Sequence, residues 1–153
     1  MAFTYDQLKT AIQDYTQNTE TSFVTNLPVF IRSAEERILK TVQLTLFRKN
    51  STGNMTASDE YLIQPTDFLA PFSLSFTDAN NDKKFLDFKS VNFIQEFNPD
   101  RTVTGEPRYY ANFDVSSFII GPTPNSSYAV ELHYYYRPAS LTAGAGSGET
   151  WLS

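Results

Sequence analysis

Between Asn26 and Val42 the chain reads NLPVFIRSAEERILKTV. Leu27, Phe30, Ile31, Ala34, Ile38 and Val42 recur in steps of three and four, which places all six on one face of a helix. Arg32, Glu35, Glu36, Arg37 and Lys40 fall mostly on the opposite, solvated side. Arg32–Glu36 and Glu36–Lys40 are four apart, and such surface pairs add roughly a few tenths of a kcal/mol. Asn26 reads as the N-cap, with Pro28 in the first turn, where its missing N–H costs nothing. No other segment is as periodic, so it is the expected spine against which a sheet packs.

Upstream, Thr4 and Gln7 have the spacing of a capping box, and Phe3 and Leu8 that of a hydrophobic staple. Leu8, Ala11, Ile12 and Tyr15 continue one face, so a helix is predicted to about Thr16. Gln17 to Thr25 is polar and reads as a loop, with room for a helical turn near Ser22 to Val24. The two helices should form an antiparallel pair.

After Val42 the period drops to about two. Leu44 to Lys49 reads as a strand and Asn50 to Asn54 as a turn. Met55–Ala57 and Tyr61–Ile63 read as strand pieces around a turn at Ser58–Glu60. Pro65 and Pro71 should interrupt any ladder between Gln64 and Pro71. Phe72, Leu74 and Phe76 alternate, Asp78 to Lys83 has hairpin-loop chemistry, and Lys84 to Phe88 returns. Ser90 caps a short predicted helix, Val91–Phe97, buried through Phe93, Ile94 and Phe97 and stopped by Asn98-Pro99. Arg101 to Glu106 reads as a loop. Pro107–Phe113 and Val115–Ile120 form a hairpin, and Gly121 to Ser126 a stiff exposed turn. The clearest strand is the last: Tyr128, Val130, Leu132, Tyr134 and Tyr136 share one face, while Ala129, Glu131, His133, Tyr135 and Arg137 share the other. Residues 1–138 therefore read as one α+β domain, two N-terminal helices on a mainly antiparallel sheet with one short inserted helix. Residues 139–153 read as a small-residue linker and an apolar end, Trp151-Leu152, that either docks on a neighbour or begins a helix cut short.

Composition narrows the chemistry. The 153 residues suit one domain, and thirteen Phe, nine Tyr and one Trp can fill its core without crosslinks. With no Cys, disulfides, thiolate metal sites and thiol catalysis are excluded. A net charge of −5 argues against a phosphate-binding surface, and Arg48-Lys49 and Lys83-Lys84 are short enough to be strand flanks. No signal pattern or membrane-length apolar run is present, so folding in a cytoplasm and no membrane partner are expected.

No reactive constellation emerges. His133 is the lone histidine and sits mid-strand without partners in sequence. Glu35 and Glu36 are adjacent on a helix and read as a solvated face, not as a pair flanking a scissile bond. The aspartates around the predicted hairpin loop lack calcium-loop spacing, and the glycines lack phosphate-loop spacing. No catalytic residue, metal ligand or cofactor is expected. Tyr109-Tyr110 and Tyr134-Tyr135-Tyr136 place rings on both faces of neighbouring strands. Either both faces are covered, or one meets a partner, since tyrosine is enriched at interface centres. A carbohydrate-binding surface that includes Tyr135 is the alternative from another class.

The order of motifs resembles a known family. It runs from Ala34-Glu35-Glu36-Arg37-Ile38 through Tyr61-Leu62, Pro65-Thr66-Asp67-Phe68-Leu69 and Val91-Asn92-Phe93-Ile94. It continues with Gly105-Glu106-Pro107-Arg108-Tyr109-Tyr110, Ile120-Gly121-Pro122-Thr123-Pro124, Val130 to Pro138 and Thr150-Trp151-Leu152. Across essentially the whole chain this is similar to the head-to-tail adaptors of short-tailed bacteriophages, the group related to tail tubular protein A. The resemblance implies a virion-neck protein made in the host cytoplasm. It would form a ring of copies, usually a dodecamer, under the portal and carry the tail nozzle; another neck or tail-completion protein is the near alternative. Double-stranded DNA would pass without specific binding, which an acidic chain suits. Family members usually continue into C-terminal helices beyond Thr-Trp-Leu. The expected contacts are Leu8, Ile12 and Tyr15 with a neighbouring subunit, Asn80, Asn81, Pro122 and Pro124 with the next ring, Tyr135 on the tyrosine face, and burial of Trp151 and Leu152.

Overall fold

The computed structural model describes residues 4–42, 45–143 and 151. The chain divides into two compact units, Met1–Thr45 with Arg137–Ser153, and Leu46–Tyr136. The class is α+β: among the described residues, three α-helices and a large, mostly antiparallel sheet.

The first unit holds α1 (Tyr5–Thr16), α2 (Thr21–Thr41) and a 3-10 turn at Leu141–Ala143. The capping box forms as the sequence predicts: the Gln7 amide donates to Thr4 Oγ1 at 3.3 Å, and the Thr4 amide donates to Gln7 Oε1 at 2.9 Å. Phe3, the other half of the expected staple, lies outside the described residues. Gln17 ends α1 in the left-handed region, φ 51°.

α2 starts at Thr21, six residues earlier than an Asn26 cap would place it. Asn26 is not its cap but an interior residue, its side-chain amide donating to the Ser22 carbonyl at 2.8 Å. Thr25 likewise donates its hydroxyl to the Thr21 carbonyl at 2.7 Å. Pro28 therefore lies inside the helix, where proline costs about 3 kcal/mol. Burial of Leu27 and Ile31 on either side of it supplies a compensating gain. The buried row also differs: it is Leu27, Ile31, Glu35 and Leu39, at steps of four, while Phe30, Ala34 and Val42 are exposed. Within the stretch read as linker, Leu141 is buried with Tyr5 and Ile31.

A 3-10 turn (Thr45–Phe47) runs across the boundary in sequence, and the second unit continues with β1 (Arg48–Met55), β2 (Tyr61–Ile63), β3 (Phe68–Thr77), β4 (Lys83–Phe88) and α3 (Val91–Phe97). Then come β5 (Thr104–Gly105), β6 (Tyr109–Asn112), β7 (Ser117–Gly121), β8 (Thr123–Pro124) and β9 (Tyr128–Tyr136). Seven strands form one sheet in the order β1-β9-β3-β4-β6-β7-β2, and β5 pairs with β8 apart from it. Among the described residues only β4–β6 and β5–β8 are parallel.

The predicted face of β9 is confirmed. Val130, Leu132 and Tyr134 are buried in the main core, and Tyr128 and Tyr136 pack against it. Met55 of β1 and Leu62 of β2 join the same core although their strands end the sheet order, so the sheet rolls around it. On the other face Ile94 of α3 packs with Ala111 and Ile119. The Ser90 cap and Asn98 stop of α3 are as predicted, but Phe93 and Phe97 are partly exposed, stacked edge-on against Tyr109.

Three predicted breaks do not occur. Asn50 to Asn54 is strand, because eight residues of β1 pair in register with β9 and that ladder overrides turn-prone composition. Pro71 lies within β3, where two register shifts admit it and only β9 pairs alongside. Gly121, Thr123 and Pro124 are buried, so Gly121 to Ser126 is exposed only from Asn125.

Candidate assembly surface

The helix pair of the first unit leaves an apolar groove of about 310 Å³. Leu8 and Ile12 of α1 form one wall, and Phe23, Leu27, Ile31 and Ile38 of α2 form another. Leu141 and Trp151 close one side. The groove follows from amphipathic periodicity: α1 and α2 turn their apolar rows toward each other, and Phe30 and the small Ala34 line the space between them. Tyr15, one turn beyond Ile12, is 91% exposed.

Glu35 interrupts the apolar row. It is only 5% exposed, and among the described residues its carboxylate accepts three hydrogen bonds. The donors are the Leu141 amide at 2.7 Å, the Trp151 indole Nε1–H at 3.0 Å and the Ser140 hydroxyl at 2.7 Å. Such pairing is what a buried carboxylate requires. The expectation of a solvated Glu35 is thus overturned. A signal was available: Glu35 lies four after Ile31 and four before Leu39, in line with the apolar row. Glu36 is partly exposed and paired with Arg137.

In the second unit the tyrosines are not an open platform. Tyr134 faces the core and donates its hydroxyl to Asp67 Oδ1 at 2.7 Å. Tyr135, on the opposite face, is only 7% exposed. Its hydroxyl accepts from Arg48 Nη2 at 3.1 Å, its ring meets Phe72 edge-on, and the Arg48 guanidinium stacks over Phe72 at 4.3 Å. Asn80 and Asn81 are exposed at the β3–β4 tip. That tip is held by the Asp78 carboxylate, which accepts from the Asn80 and Asp82 amides at 2.8 and 3.0 Å. These backbone hydrogen bonds, with Lys84, keep the Asp78 carboxyl below its ordinary range. Pro122 is half-buried and Pro124 is buried.

The structure therefore gathers Leu8, Ile12 and Trp151 around one groove, and leaves Asn80-Asn81, Pro122-Pro124 and Tyr135 at separate places. Leu152 lies outside the described residues. Sequence reasoning passed over Phe85 and Phe88 of β4, both largely exposed. His133 stands 3.5 Å from the Glu131 carboxylate. Among the described residues no three His, Cys, Asp or Glu side chains gather as a metal site, and no helix is long and apolar enough to cross a membrane.

The helix pair thus presents an open apolar groove at Leu8, Ile12 and Trp151. The chain belongs to the SU10 adaptor protein family, which it matches over residues 3–153. This agrees with the resemblance to phage head-to-tail adaptors. The family consists of structural bacteriophage proteins, and membership implies a virion component that meets other head and tail proteins. No curated protein matches the chain.

Proposed function

We propose that the protein is the head-to-tail adaptor of its virion. Copies form a ring, twelve-fold by analogy with the resemblance, between the portal and the tail nozzle. Its bore passes the ejected DNA. The observation that carries this reading is the groove at Leu8 and Ile12, open in a subunit of an adaptor family. A groove of this apolar character on the outside of a helix pair asks for a partner surface. Leu8, Ile12 and Tyr15 are the proposed contacts with the neighbouring subunit. Asn80, Asn81 and Pro122 are the proposed contacts with the next ring, with Pro124 bracing that loop from beneath. The net charge of −5 lets DNA slide through without being held.

Electron microscopy of the protein mixed with its portal tests the proposal: rings seated on the portal are expected. Tyr15→Ala should weaken the association by more than about 1 kcal/mol, or roughly fivefold, if Tyr15 is an interface anchor. A chain that stays monomeric and leaves the portal bare would overturn the reading. Strong, salt-sensitive DNA affinity would overturn the part that concerns the bore.

A further inference from the structure

β1 and β2 end the order of the main sheet, and each is paired on one side alone. β2 bonds β7 through alternate residues. The Gln64 amide donates to the Ser116 carbonyl at 2.7 Å and the Ile120 amide to the Glu60 carbonyl at 2.8 Å, with Leu62 opposite Phe118 between them. In an antiparallel ladder the intervening residues, here Tyr61 and Ile63, aim their backbone groups the other way. The Tyr61 amide is held by the Asp59 carboxylate at 2.9 Å. The Tyr61 carbonyl and both backbone groups of Ile63 have no partner among the described residues. A space of about 220 Å³ lies between Ile63 and Gln64 on one side and Ser51 to Gly53 of β1 on the other, with Val130 and Leu132 in its lining.

Edge strands are commonly blunted by a lysine, a proline or a bulge. β1 carries Arg48 and Lys49, but Tyr61-Leu62-Ile63 carries none of these. Instead Ile63 is 84% exposed, and Val115, beside the Ser116 that holds Gln64, is 99% exposed. Both ends of β2 are acidic. Asp59 precedes it, and the Asp114 carboxylate accepts at 2.8 Å from the amide of Ser117, the residue opposite Ile63. Neither carboxylate has an ion pair among the described residues, and Arg101 nearby is taken by Glu60.

We propose that the free edge of β2 accepts an extended strand from another protein chain, one with apolar residues at alternate positions and a lysine or arginine at each end. Backbone bonds to Tyr61 and Ile63 hold the strand, and its cationic ends meet Asp59 and Asp114. One stretch of this chain has such ends around apolar residues, Lys83 to Lys89, but it forms β4 and is paired by β3 and β6. A second copy therefore does not supply it. The inference stands apart from the groove and the ring.

The probe is a fluorescein-labelled peptide, Lys-Val-Thr-Val-Thr-Val-Lys, followed by anisotropy. A saturable rise is expected, with slowed amide exchange at Ile63. The same peptide with a Pro-Pro pair at its centre should bind at least about tenfold more weakly, because it loses a backbone donor on each side. Ile63→Pro removes the outward N–H and leaves the ladder to β7 in place. It should keep the wild-type circular dichroism and weaken peptide binding by at least about tenfold. Absence of saturable binding, or binding without protection of Ile63, overturns the proposal. Equal binding of a glutamate-ended peptide overturns the role of the acidic ends. Protection of Ile63 that rises with protein concentration alone makes a second copy the occupant and overturns the assignment to another chain. Should Ile63→Pro fail to fold, Ile63→Lys replaces it: the same weakening is expected, and unchanged affinity overturns the site.

Discussion

Asp67 is held by two donors, Lys49 Nζ and the Tyr134 hydroxyl, each at 2.7 Å. Burial pushes its carboxyl up, but the hydrogen bonds from Lys49 and Tyr134 outweigh that and hold it below its ordinary value. The same contact acts on the tyrosine. Burial, aided by the neighbouring carboxylate, raises the Tyr134 hydroxyl above its usual range. A buried hydroxyl bonded to a charged acceptor contributes more than a neutral pair does. Tyr134→Phe is expected to cost about 1.5 kcal/mol, read as a lower urea midpoint at unchanged slope. Tyr135, its neighbour in sequence, has a different environment because successive strand residues face opposite ways. Its hydroxyl meets Arg48 instead of a carboxylate.

At the scale of elements, α3 and β7 show how closely two pieces of backbone approach. A Cβ added at Gly121 would lie 2.9 Å from Cγ2 of Ile94, a buried and branched side chain that cannot yield cheaply. Gly121→Ala should therefore cost about 1–3 kcal/mol by overpacking, measured by urea unfolding. A variant as stable as the wild type would show that α3 can lift from the sheet without loss. The start of α1 is a smaller matter. Thr4→Ala removes one partner of the capping box and should cost about 1 kcal/mol, with some loss of helical circular dichroism. Register explains why these elements stand where they do. β9 pairs with β1 on one side and β3 on the other, so its alternation imposes order on two strands whose own sequences are poor in strand formers or carry a proline.

For the whole molecule, the charge pairs set a pH window. Asp78, Asp114 and Glu131 join Asp67 in having carboxyls below their ordinary values. For the first two the leading cause is a backbone amide hydrogen bond, and for Glu131 it is the Lys83 ammonium. A carboxyl depressed in the folded state contributes stability that is present above its unfolded value and lost as pH falls through the folded one. Two tyrosines act at the other end. Burial pushes Tyr110 up to about 12 and raises Tyr134 as well. Their contribution is intact below the unfolded tyrosine value and is lost as pH climbs toward the folded one. The urea midpoint should be flat from about pH 5 to 9, and fall below about pH 4 and above about pH 10, near the unperturbed carboxylate and tyrosine values. A midpoint unchanged between pH 7 and 3 would contradict the carboxylate pairings.

Local rules decided what local chemistry can decide. The capping box at Thr4, the Ser90 start and Asn98 end of α3, the Asp78 hairpin and the alternating face of β9 all follow from residues within a few positions of one another. Leu8 and Ile12 were legible as an apolar helix face for the same reason. What the sequence left open depended on partners far along the chain. β1 is strand through Asn50–Asn54 because β9 lies beside it, and Pro71 is tolerated because β3 bulges against that same strand. Glu35 is buried because Ser140, Leu141 and Trp151, more than a hundred residues away, supply the donors that make burial affordable. A helical period can tell which way a side chain points, but only the tertiary structure decides whether water or another part of the chain is waiting there.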